Sequence, residues 1–325
     1  MKILKKLSVL LTISMIAALF NGCGNAQNSE TKSQKNVPKS ISISYVKSPL
    51  NVPSIVEKRE KLFENEFSKD NIKITYPQIT EGSKMTEAVA AGSLDFCNAI
   101  GATSVILAAA NGVDIKIIGV YSRAPKAFTI MAKDPSIKSM KDLKGKKVVG
   151  PKGTILHQLL LGALEKDSLK SSDVQFINMG IPDGVSALLS GSADAALVAG
   201  ASVDNAKKNG AHVITTGEGI LDATIVIGVS GKFIKKYPDI VKRYLKVHDK
   251  SLSFMKNSKD KAYNYTSEEV KLSLDQVKAM YDLYDFNPKI TNKDIKDLND
   301  TKDFLMKNGM LKKNIDVKSL IDNVS

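Results

Sequence analysis

The sequence predicts an α/β protein built as two similar lobes facing each other across a cleft, with an all-helical tail. Three observations carry this expectation. Alternating strands and helices run from residue 41 to about residue 229, residues 88–104 recur as residues 187–203, and from Pro238 onward the pattern is helical.

The body opens with Ile41-Ser42-Ile43-Ser44-Tyr45-Val46, whose alternation of apolar and polar residues reads as a strand ending in a loop over residues 47–53. A helix carrying Val56, Leu62, Phe63 and Phe67 follows, then a strand over residues 72–76. Strands separated by helices point to a largely parallel sheet.

The repeat is the most informative feature. AVAAGSLDFCNAIGATS at residues 88–104 matches ALLSGSADAALVAGASV at residues 187–203, pairing Gly92 with Gly191, Ser93 with Ser192, Asp95 with Asp194 and Gly101 with Gly200. Each unit ends alike, with Asn111-Gly112 before a strand at 115–118 and Asn209-Gly210 before one at 213–215. Both units therefore read as helix, glycine stop, buried strand, glycine turn, helix, glycine stop, strand. Two copies are too few for a solenoid and imply two lobes. The apolar segments 127–132 and 222–229 are the natural crossings between them and the expected hinge. The first lobe is then residues 41–125 with 230–325, and the second is residues 126–229. In the tail, Pro238 suits a first helical turn, Thr266 with Glu269 suggests a capping box, and Asn308-Gly309 ends a helix carrying Ile295, Leu298, Phe304 and Leu305. This tail is expected to pack on the first lobe.

Ligands of open α/β sheets bind outside the carboxyl ends of the strands, where unpaired N–H groups and the positive ends of helix dipoles converge. Gly101-Ala102-Thr103 and Gly200-Ala201-Ser202 thus form two opposed anion cradles, and Lys152-Gly153-Thr154, between a strand at 147–150 and a helix at 155–165, forms a third. Thr103, Thr154 and Ser202 equally suit plain helix caps, and a cap can serve both purposes. His157, one turn into the third helix, is placed to donate to a ligand, and Lys152 offers long-range attraction.

The N-terminus reads as an export signal. Lys2, Lys5 and Lys6 precede an apolar run over residues 7–20. That run is shorter than the roughly 20 apolar residues needed to span a bilayer. Leu19-Phe20-Asn21-Gly22-Cys23 resembles a bacterial lipobox, which implies a signal peptide over residues 1–22 and a lipid on Cys23. Residues 24–40 are too polar to bury a core and read as a flexible tether, giving an exported protein anchored on the outer side of the cell membrane.

Composition narrows the function classes. Cys97 is the only cysteine besides Cys23, so no disulfide is expected within the mature chain, and its apolar setting suits a core thiol. The formal charge is +13, but arginines are few and the lysines dispersed, which argues against nucleic acid and suits anionic solutes or lipid. His157, His212 and His248 are too widely spaced for helical metal-ligand pairs, and neither a nucleophile elbow nor a phosphate-binding Walker loop occurs. No metal, cofactor or catalytic site is expected. His248, in a lysine-rich helix, reads as exposed; Arg123 suits either a bidentate anion contact or a surface pair.

Taken in order, Glu81-Gly82-Ser83-Lys84-Met85, Gly92-Ser93-Leu94-Asp95, Gly112-Val113-Asp114, the run Asp142-Leu143-Lys144-Gly145-Lys146-Lys147-Val148, and Gly153-Thr154 with His157-Gln158-Leu159 resemble the substrate-binding proteins of ABC importers for aliphatic sulfonates, nitrate and taurine. That group also includes carriers of thiamine-precursor pyrimidines. The resemblance implies the two-lobed Venus-flytrap fold of type II periplasmic binding proteins, a small anionic ligand between the lobes, and delivery by a monomer to permease and ATPase subunits. Carried over by position, it implies ligand contacts at Ser48, Asn51 and Ser83, at Gly101 to Thr103, and at Gly153 to His157. The chain departs from the sulfonate and nitrate pattern at Val198-Ala199-Gly200-Ala201, where that pattern has a tryptophan-containing segment; it contains no tryptophan, so the cleft wall should be smaller there. The alternatives are a carrier of a pyrimidine or small aromatic precursor, an extracytoplasmic sensor or adhesion module, and a lyase or synthase on the related fold.

Overall fold

The alternation that opens the body buries Ile41 and Ile43 on one face, while Ser40 stays exposed and Ser42 partly so. In the computed structural model, which describes residues 36–48 and 50–322, this segment is strand β1, Ser40–Ser42. The expected signal peptide, the lipid on Cys23 and the tether up to residue 35 lie outside the described residues. Residues 36–40, expected within the tether, are docked instead. Asn36 Nδ2 donates to the Lys236 carbonyl at 3.1 Å, Val37 packs on the core, and the Lys39 carbonyl accepts from Lys73 N at 3.0 Å.

The single helix expected next is two, α1 (Val52–Arg59) and α2 (Leu62–Phe67), because Lys61 takes the left-handed conformation at φ 52° between them. Then come β2 (Lys73–Thr75), α3 (Gly82–Ala90), β3 (Phe96–Gly101), α4 (Ala102–Ala110) and β4 (Ile115–Arg123). The chain crosses to β5 (Phe128–Ala132) and continues through β6 (Lys147–Gly150), α5 (Ile155–Lys166), β7 (Gln175–Asn178), α6 (Ile181–Ser190), β8 (Ala195–Ala199), α7 (Ala201–Lys208) and β9 (His212–Thr216). It returns to β10 (Thr224–Ser230), which leads into α8 (Gly231–Lys236), α9 (Pro238–Asn257), α10 (Lys259–Val270), α11 (Leu274–Tyr281) and α12 (Asn292–Lys307).

The sheets repeat one plan. A bridge between Ile43 and Phe96 joins β1 to β3, so the first sheet runs β2-β1-β3-β10-β4, and the second runs β7-β6-β8-β5-β9. Strands of the two sequence repeats occupy equivalent places, and each sheet receives its fourth strand from the chain that crosses over. Residues 224–229, expected with the second lobe, therefore belong to the first sheet, paired with β3 and β4. The chain passes between sheets at 124–127 and 217–223 instead. The crossing strands also make the sheets mixed rather than largely parallel, since β5 and β10 run antiparallel to both neighbours.

The paired aspartates explain part of the repeat. Asp95 Oδ2 accepts from Ser42 N in β1 and Asp194 Oδ2 accepts from Lys147 N in β6, each at 2.8 Å. Gly92 and Gly191 end α3 and α6 at φ 72° and 78°, where a Cβ would be strained. Gly101 and Gly200 are not conformational equals, at φ −64° and 64°.

The tail packs on the first lobe, with α9 against α1 and α2, and α12 against α4. Tyr244 of α9 is fully buried, stacked on Phe96 at 4.1 Å and on Phe63 at 4.8 Å between ring centroids. Thr266 lies inside α10, donating to the Ala262 carbonyl, so the expected capping box does not form; Ser273 and Thr291 cap α11 and α12. His248 is not exposed. Its Nδ1 meets buried Glu57 at 2.8 Å, and Glu57 also accepts from Asn98 Nδ2 at 2.7 Å. Arg123 is committed to Asp294 through Nε at 2.6 Å and Nη2 at 2.7 Å, and to Asp285 at 3.1 Å, which fastens the end of β4 to the tail.

Candidate functional site

In both lobes the first turns of helices follow strands that point the same way, so helix starts gather along the line where the sheets face each other. A cavity of about 240 Å3 lies there, lined from both lobes. The starts of six helices reach it. Asn51 precedes α1, Glu81 precedes α3, Gly101 precedes α4, Thr154 precedes α5, Gly180 precedes α6, and Ser202 is the second residue of α7. In none of the six does the capping side chain accept from the helix's own N–H groups, but at α1 Pro53 has no N–H and Ser54 N donates to Tyr121 Oη at 3.1 Å, so the open starts are the five of α3 to α7. The first N–H groups of a helix have no intrahelical acceptor, so an uncapped start facing a cavity is a set of donors with a positive dipole end behind it.

Close packing brings these starts together. A side chain at Gly82 would strike Ser104 Oγ, and one at Gly101 would come within 3.0 Å of Ile155 from the opposite lobe. Ser104 Oγ also donates to the Gly153 carbonyl at 3.0 Å, a direct link from α4 to the loop before α5. Apolar lining comes from Val46, Met85, Ile100, Ile155 and Ile225, with Phe128 the one aromatic ring among the described residues. Among the described residues no lysine, arginine, histidine or cysteine lines the cavity, and Glu81 is its one charged residue.

Of the residues expected to contact ligand, Ser48, Asn51, Gly101, Thr154 and Ser202 line the cavity, while Ser83, Ala102, Thr103, Lys152, Gly153, His157, Gly200 and Ala201 do not. Several of the latter have other partners. The Thr103 hydroxyl is buried and donates to Gln158 Oε1 at 2.5 Å, and Gln158 Nε2 donates to Thr301 Oγ1 at 3.1 Å, so Thr103 links α4 to α5 and α12 behind the cavity. His157 is buried and stacked on Phe176 at 4.5 Å, and its Nδ1 accepts from Gly153 N at 3.4 Å. Burial, with Lys152 adding repulsion, pushes its pKa down to about 4, so the ring is neutral near pH 7 and turned to the loop rather than the cavity. Lys152 engages Asn178 Oδ1 through its backbone N at 2.8 Å.

Thr154 Oγ1 donates to the Pro151 carbonyl at 2.9 Å, which shapes the turn and leaves the start of α5 uncapped. Sequence reasoning missed Glu81, Ser104 and Phe128. Glu81 stood beside Ser83 in a recognised motif, and its place before a helix start was the usable signal. Ser104 closed the repeat, and Phe128 lay in an expected crossing strand.

A profile of the family described as NMT1/THI5 like matches residues 65–262. The chain is 31% identical over 319 residues to the Bacillus subtilis (strain 168) protein named "Putative aliphatic sulfonates-binding protein", covering 97% of this chain and 94% of that one. An Escherichia coli (strain K12) protein of the same name is 34% identical over 159 residues, 49% of this chain and 48% of its own length. Among solved structures, the alkanesulfonate-binding protein of Xanthomonas axonopodis pv. citri bound to MOPS superposes with a TM-score of 0.80 at 21% identity, over 87% of this chain and 98% of that one. At that identity the likeness carries the fold, two lobes around a cleft.

Proposed function

The chain belongs to the NMT1/THI5-like family, and from that premise we propose that it is the extracytoplasmic solute-binding component of an ABC importer, capturing a small sulfonate-type anion between its lobes. Its fold is the two-lobed fold of the periplasmic binding proteins. The observation that carries the reading is the convergence of five helix starts with open N–H groups, those of α3 to α7, on one interlobe cavity that no cation lines among the described residues. An anion there is held by backbone N–H groups that are already oriented, so little reorganisation accompanies binding.

The names of the two sulfonate-binding relatives support the choice of ligand class. Capture works by closure, with the bend at 124–127 and 217–223, and ligand favours the closed state because only there do starts from both lobes reach it. The loaded protein then docks on a permease driven by an ATPase, and a lipid on Cys23 holds it at that membrane. No helix among the described residues is long and apolar enough to cross a membrane. The protein is a carrier, and its cycle needs no bond-making step.

Thermal-shift measurement with alkanesulfonates, taurine, nitrate, sulfate and a pyrimidine precursor tests the reading. A ligand with micromolar Kd at millimolar concentration raises stability by about 4 kcal/mol. A shift with sulfonates and none with a pyrimidine precursor supports it. A shift with the pyrimidine precursor alone contradicts it.

A further inference from the structure

The first lobe reaches the cavity through a strained residue. Ala99 has φ 66°, and among the described residues it is the one non-glycine residue inside a strand with a positive φ. An alanine held there is strained, because its Cβ crowds the carbonyl oxygen that follows. The conformation re-aims the chain. Between the pairs Val226–Ile100 and Gly228–Cys97, Asn98 and Ala99 stand opposite Ile227 alone, a bulge in β3. Successive residues of a regular strand point to opposite faces, yet Ala99, Ile100 and Gly101 all line the cavity, and Gly101 leads into α4.

The second lobe turns into its helix without that strain. Val198, the repeat partner of Ala99, stays in regular register with Thr129, and the left-handed residue is Gly200, where no Cβ resists.

The neighbour of Ala99 supplies what holds it. Asn98 is 2% exposed, and its Nδ2 donates to Glu57 Oε2 at 2.7 Å and to Ser54 Oγ at 3.1 Å, both on α1. Its carbonyl accepts from Ser44 Oγ at 3.2 Å. That carbonyl belongs to the peptide plane shared with Ala99 N, and φ of Ala99 is the rotation about the bond leaving this plane. A carbonyl and a side chain fixed on buried partners therefore set the plane from which Ala99 departs.

Resting on the sulfonate reading above, we propose that Asn98 is a positioning residue for ligand binding. It acts through Ala99, holding the strained bulge that brings Ile100, Gly101 and the start of α4 to the cavity. Without those bonds Ala99 relaxes toward negative φ and draws these groups away from the ligand. A glycine at position 99 needs no such restraint, since the left-handed conformation is open to it.

The test is calorimetric titration of the full chain with 1-propanesulfonate, on the unaltered protein, on Asn98→Ala, and on Asn98→Ala combined with Ala99→Gly, with thermal unfolding of each. Asn98→Ala should weaken binding about tenfold and lower the thermal midpoint, and adding Ala99→Gly should bring affinity back to within about threefold of the unaltered protein. A residue that only stabilised the lobe would show no such recovery, because glycine in a regular strand weakens it further. Where Asn98→Ala does not fold, Ser44→Ala removes the bond to the Asn98 carbonyl alone, with about a threefold loss expected and the same recovery on adding Ala99→Gly. Undiminished binding by these variants overturns the positioning proposal, as does a loss that Ala99→Gly fails to restore; either result leaves the sulfonate reading standing. No binding by the unaltered protein overturns the sulfonate reading, and the proposal with it.

Discussion

At the scale of single residues, the side chains divide into those that face the cavity and those that hold its walls. Ser202 lines the cavity, so Ser202→Ala should weaken sulfonate binding several-fold with little change in thermal midpoint. Thr103 is a wall residue, and Thr103→Val, which breaks the link to Gln158, should lower stability by about 1 kcal/mol. Titration calorimetry and denaturant unfolding separate the two effects. Glu57 has the largest stake, because its loss leaves buried His248 without its carboxylate partner and Asn98 Nδ2 with Ser54 Oγ alone; Glu57→Ala should cost about 3 kcal/mol or more in denaturant unfolding. His157 makes stability depend on pH. Its folded pKa of about 4 lies below the ordinary value of 6.5, so between these values the unfolded chain binds the extra proton. The contribution is complete above pH 6.5 and is lost as pH falls toward 4, a change on the order of 3 kcal/mol. A His157→Gln variant should show a flatter profile of unfolding free energy over that window.

At the scale of elements, the repeat was legible because its residues do backbone work that recurs in both lobes. Asp95 and Asp194 tie their turns to equivalent strands, and Gly92 and Gly191 take a conformation that side chains resist. What was not legible depended on neighbours distant in sequence. The break at Lys61 has no proline or glycine to announce it, and His248 looked exposed because its partner Glu57 is 191 residues away. The site followed the same division. Helix starts can be read from glycines and small polar residues, whereas the direction in which Thr103 points is decided by Gln158 on another lobe. Gly150 offers a test at this scale, since a Cβ there would lie 2.5 Å from the Leu197 side chain in the neighbouring strand β8. Gly150→Ala should force β6 and β8 apart and lower the thermal midpoint, a cost of about 1–3 kcal/mol.

At the scale of the whole molecule, β5 and β10 are the strands that follow the two crossings, and each is the fourth strand of its sheet, so each sheet is completed by chain that has just crossed over. The sequence showed two lobes and two crossings; the place of β10 in the first sheet was hidden because β10 is apolar enough to suit either sheet. The central claim is that backbone N–H groups at the helix starts hold the anionic end of the ligand. Amide chemical-shift mapping during titration with 1-propanesulfonate tests it most directly. The account predicts the largest shifts in the first turns of α3 to α7, on both lobes at once. Shifts confined to exposed lysine-rich segments, or to one lobe, would contradict it.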